Sequence, residues 1–105
     1  MSEPSLNQQV LVTLTTPPSL EEGMVDWLLN FSENVGFTSN KAHGHSSRIE
    51  GLNLAEQVAG RKEQVRFQLH IPANDLSTFL ETLRKDFAGA EVHYWVAPLL
   101  EVGHV

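Results

Sequence analysis

The sequence predicts an α+β domain of the ferredoxin-like type, in the order strand, helix, strand, strand, helix, strand. Three observations predict it. Two stretches, "QVLVTLT" and "EQVRFQLHI", alternate apolar and polar residues with the period of a strand. Two others, 19–31 and 75–87, carry apolar residues at helical spacing. Prolines fall between these runs rather than within them. Such a chain makes a four-stranded antiparallel sheet with both helices on one face.

The first strand covers Gln9 to Thr15, with Val10, Val12 and Leu14 on one side and Leu11, Thr13 and Thr15 on the other. "PPSLEE" ends it and begins a helix, where Ser19 and Glu22 have the spacing of a capping box. Leu20, Met24, Leu28 and Phe31 form the inward stripe, widened by Val25 and Leu29, and Gly36 lies beyond the end. Trp27 sits beside that stripe, where covering the core edge explains it better than ligand binding.

"GFTSNKAHGHS" is a polar second strand and belongs at a sheet edge. Val65, Phe67, Leu69 and Ile71 define the inner side of the third strand and Arg66, Gln68 and His70 its outer side; Pro72 stops it. Asn74 or Asp75 caps the second helix, which turns Leu76, Phe79, Leu80, Leu83 and Phe87 inward. Arg84 and Lys85 suit the negative end of its dipole, and Gly89 suits its C-terminal turn. "EVHYWVA" closes the sheet, with Val92, Tyr94 and Val96 inward, and a tail of residues 99–105 follows Pro98.

At 105 residues with 41% apolar and 19% charged residues, the chain is one ordinary globular domain spanning 1–105. It contains no cysteine, so disulfides, zinc ribbons and thiol nucleophiles are excluded. No apolar run reaches the roughly 20 residues of a membrane span, and no leader pattern is present, which predicts a cytoplasmic protein. Thirteen acidic against seven basic residues, a net −6, argue against nucleic acid as a partner.

Four features bear on function. The first is the outer sheet face, where Arg66, Gln68, His70, His93 and Trp95 gather with nothing in the chain to cover them. A second copy of the chain covers such a face, or a small-molecule pocket occupies it, as in ferredoxin-like oxygenases.

The second is residues 48–62, too long for a hairpin turn. They carry three cations (Arg48, Arg61, Lys62) against two carboxylates (Glu50, Glu56), a net +1 that leaves −7 for the rest. Asn53 and Glu56 have cap spacing for a short helical turn with Leu52, Leu54 and Val58 as its apolar contacts. This is a surface arm built to hold something, or a solvated insert. Its three cations would suit an anionic ligand or an acidic partner.

The third is "KAHGHSS". His43 and His45 flank Gly44 and share one strand face, the beginning of a site for a divalent transition metal, or a solvated strand end. Further ligands would have to come from Glu50, His104 or a neighbouring subunit. The fourth is negative. The serines beside those histidines do not constitute a triad, and no other catalytic set emerges, which predicts a protein that is not an enzyme.

From about Leu11 to Glu101 the text itself resembles a known family. "KAHGHS", the long loop and "VRFQLHIPANDLSTFLETLRKDFAGAEVHYWVAPL" look like the second half of a PII signal protein. "GFTS", "GHS", "LNLAEQVAGR" and "HYWV" are more specifically similar to a small bacterial PII-like family of unassigned function, often encoded beside heavy-metal efflux systems. The resemblance implies a homotrimer with the sheets facing inward, loops 48–62 projecting as T-loops, and effector clefts between subunits. A membrane transporter or other regulatory target is the implied partner.

The family's metal-tolerance relatives imply the alternative, a metal-binding protein using His43 and His45. Nucleotide-binding PII proteins carry a glycine- and lysine-rich segment before the last strand. Here it reads "DFAGAEVHY", with one glycine and no lysine among these residues, which argues against ATP. The arm also lacks a tyrosine for modification.

Overall fold

The computed structural model describes residues 8–31, 36–45 and 61–105. Strand β1 (Gln9–Thr16) leads through a 3-10 turn (Pro18–Leu20) into helix α1 (Glu21–Phe31). Strands β2 (Phe37–His45) and β3 (Arg61–Pro72) follow, then a second 3-10 turn (Ala73–Asp75), helix α2 (Leu76–Asp86) and strand β4 (His93–Pro98). The sheet is antiparallel in the order β2-β3-β1-β4, so the two most apolar strands are central and the polar β2 is an edge. This is the ferredoxin-like order that the sequence predicts.

One sheet face carries the core. Register pairs Val10 with Ile71, Val12 with Leu69 and Leu14 with Phe67, and all six are buried. Met24 and Leu28 of α1 and Phe79 and Leu83 of α2 pack onto them. Burying a side chain of this size stabilises by about 1.5–3 kcal/mol. Both helices therefore lie on one side, because their stripes need the same apolar rows.

Trp27 closes the edge between the helices as expected. Its ring stacks on Phe31 at 5.7 Å and meets the edges of Phe79 and Phe87 at 5.3 and 5.6 Å. Its Nε1 donates to the Asp86 carboxylate at 2.8 Å, tying α1 to the end of α2. Trp27→Phe keeps much of the packing and loses that bond. It should cost about 1 kcal/mol and lower the melting temperature by about 4–8 °C, read from a thermal melt against the parent chain.

Some local expectations are corrected. Ser19 lies inside a 3-10 turn that starts after Pro17, and no side chain caps that turn, because the proline pair sets the backbone first. Asp75 occupies the N-cap position of α2 but makes no side-chain capping bond. Leu29 faces solvent at 57% exposure, so the α1 stripe is narrower than predicted. Tyr94 faces the helix side but is 36% exposed on an edge strand, where its hydroxyl accepts from Arg84 at 2.6 Å.

The largest correction concerns the arm. Arg61 and Lys62 are the first residues of β3, paired with His45 and Gly44, rather than parts of the connection. Residues 46–60, Arg48 and Glu50 among them, lie outside the described residues.

Candidate functional site: the open sheet face and the β2–β3 ribbon

The face opposite the helices is organised in cross-strand rows, since residues in register share a face. Trp95, Thr13, Gln68 and Thr38 form one row across all four strands, and His93, Thr15, Arg66 and Asn40 form the next. Ala97, Leu11 and His70 begin a third. Arg66, Gln68, His70, His93 and Trp95 thus share this face, as their alternation requires.

The larger side chains lie over the threonines, leaving Thr13 1% exposed, with its hydroxyl accepting from Gln68 at 3.4 Å. Trp95 itself stays 52% exposed. The Arg66 Nε is buried and has no hydrogen-bond partner.

Beyond these rows the sheet narrows to a ribbon. Strand β1 ends at Thr16, opposite Val65, so residues 61–64 pair only with 42–45. His43 and His45 do share a face, but it is the helix side, opposite His70 and Trp95, with Glu63 and Arg61 as their cross-strand partners. His43 also lines a cavity of about 200 Å³ with Glu21, Lys41 and Glu63, beside the start of α1.

Gly44 and Lys62 face the open side. A Cβ at Gly44 would stand 2.8 Å from Oε1 of Gln64, the far end of a flexible side chain. Lys62 Nζ contacts the Glu91 carboxylate at 3.1 Å and fastens the ribbon to the segment before β4. Glu91 holds φ at +61°, a left-handed conformation uncommon for a residue with a Cβ. No sequence signal marks that residue or its pairing.

The tail after β4 runs beside the open face, starting with Leu99 N–H donating to Gln9 O at 3.1 Å. One cavity of about 710 Å³ lies between His104 of the tail and His70 of the sheet, and a neighbouring one of about 670 Å³ includes His70 and Glu101. His104 therefore stands with His70, on the face away from His43 and His45. Among the described residues no group of three or more His, Asp or Glu is arranged to hold a metal ion. No described helix is long and apolar enough to cross a membrane.

This sheet, helix placement and strand order define a PII-like ferredoxin-like domain. Residues 6–105 match the family described as protein of unknown function DUF3240, and the chain belongs to that family.

A DUF3240 family protein from Shewanella baltica is similar over 92% of this chain and 96% of its own, at 21% identity and a TM-score of 0.74. A PII-like signalling protein from Thermus thermophilus covers 88% of this chain and 87% of its own, at 19% identity and a TM-score of 0.63. The periplasmic divalent cation tolerance protein CutA from Archaeoglobus fulgidus covers 90% and 86%, at 10% identity and a TM-score of 0.57. At these identities the structures share a fold with the chain. No curated protein matches it.

Proposed function

We propose that the protein is a non-enzymatic PII-like regulator that assembles as a homotrimer, binds a small effector between subunits, and docks a partner through residues 48–62. One observation carries the reading: the open face leaves Trp95 52% exposed in the row that it shares with Thr13, Gln68 and Thr38. A large ring left exposed on a sheet face is apolar surface that a neighbouring copy can bury. Neighbouring copies would cover the ring.

In this reading the effector lies at the ribbon. Gly44 and Lys62 lie on the open side and His43, His45 and Arg61 on the other, with Arg48 next in the chain. The cations suit an anionic effector or an acidic docking segment, with Lys62 already engaged by Glu91. A membrane transporter, the target that the sequence resemblance implies, is the partner of choice.

Light scattering of the full chain tests the assembly. The expected mass is three times 11.7 kDa; a single 11.7 kDa particle across the concentration range would overturn the trimer and the role with it.

The second reading is a metal-tolerance protein using His43 and His45. It is supported by their common face and by likeness of fold to the cation-tolerance protein.

A further inference from the structure

We propose that the cavity between the C-terminal tail and the open sheet face is a site for a divalent transition cation of the copper, nickel or zinc class. Its protein ligands are His70 and His104. Both imidazoles line the one cavity of about 710 Å³, which has room for a partly hydrated ion. The reading is separate from the arm and from the effector cleft, because both ligands come from one chain and neither lies on the ribbon.

The orientation of His70 is the strongest support. Its Nδ1 stands 3.1 Å from Oε1 of Gln9, an oxygen that can only accept. In the tautomer that donates from Nδ1 to that oxygen, Nε2 carries the free lone pair. Metal-binding histidines are commonly fixed in this way, one nitrogen donating to an oxygen while the other faces the ion. Gln9 is itself held by its place at the start of β1, in register with Pro72.

The rest of the lining selects the class of ion. It contains no Lys, Arg, Asp or Glu, so no resident cation competes and no carboxylate favours magnesium or calcium. Gln68 and Thr38 offer neutral oxygens, and Leu11 and Phe37 form apolar walls. Neutral imidazole donors in such surroundings suit copper, nickel and zinc. With two protein ligands the remaining positions are left to water, or to a neighbouring copy when the face is covered. The site is then open and exchangeable, unlike a closed structural one.

The test is calorimetric titration of the full chain with Cu(II), Ni(II) and Zn(II) salts, with light scattering of each variant alongside. Saturable binding to the parent chain is expected, lost in His70→Gln and in His104→Gln and retained when His43→Ala and His45→Ala are combined. Gln9→Leu removes the acceptor without removing a ligand and should weaken binding by about 10–100-fold. His104 is in the tail, outside every strand and helix, so its replacement leaves the fold intact.

Should His70→Gln alter the assembly mass, electron paramagnetic resonance of the copper-loaded parent chain decides. Nitrogen hyperfine splitting from imidazole, abolished in His104→Gln, upholds the site. Absence of binding by the parent chain overturns it, as does undiminished binding in His70→Gln and His104→Gln. Loss of binding in the His43/His45 double variant alone would overturn it too, and would move the ion to the ribbon.

Discussion

Trp95→Asp should convert the assembly into free 11.7 kDa chains without unfolding them. Trp95 sits on β4 opposite Thr13, in the same row as Gln68 and Thr38, on the face away from the helices. In the single chain it is 52% exposed, so an aspartate there stays hydrated and the core beneath α1 and α2 is untouched. In a trimer the same position is covered by neighbouring copies. Each protomer would then bury an unpaired carboxylate, at a cost of several kcal/mol. Symmetry repeats that cost in every subunit, which is ample to dissociate an association of ordinary strength.

Sedimentation velocity reads the mass, and circular dichroism confirms that each protomer remains folded. Trp95→Phe, which keeps the apolar ring, should keep the assembly. An unchanged sedimentation profile for Trp95→Asp would remove this face from the interface.

That face was legible in the sequence because strand periodicity is local. Once "VRFQLHI" and "HYWV" are read as strands, the outward set of Arg66, Gln68, His70, His93 and Trp95 follows from the pleat alone. The core was legible for the same reason, with Phe79 and Leu83 repeating at helical spacing and Val65 to Ile71 at strand spacing.

What could not be read depends on contacts between distant parts of the chain. Arg61 and Lys62 look like loop residues because they precede the apolar alternation of β3. They are strand residues in a ribbon without β1 beside it, where no apolar rhythm is required. The helix-side position of His43 and His45 follows from the pairing of Ala42 with Gln64, a register that neither strand's text specifies. His104 lies in a tail without periodicity, so its proximity to His70 becomes visible only when the tail is placed. Glu91 adopts its left-handed backbone with no glycine to announce it.

Phe79→Ala should have the largest effect on the fold itself. The ring is fully buried on α2 and meets Phe31 edge-on at 4.9 Å and Trp27 at 5.3 Å. Removing it takes away the centre of an aromatic cluster whose other members are held in place independently. Trp27 is fixed by its bond to Asp86 and by its contacts with Phe31 and Phe87. The neighbours therefore cannot collapse into the gap, and the cost falls in the usual range for such truncations, about 3–5 kcal/mol. A domain of this size has about 5–15 kcal/mol in total, so between a fifth and the whole of its stability is at stake.

Urea titration followed by circular dichroism should show the midpoint falling sharply with the slope preserved, the signature of a less stable but equally compact native state. If the variant already melts in buffer, Phe79→Leu keeps most of the volume and should place the loss within a measurable range. Phe87→Ala, at the half-buried end of the same cluster, should cost clearly less. Equal losses at 79 and 87, or a loss at 79 below about 1 kcal/mol, would mean that the two helices are not held together by this cluster.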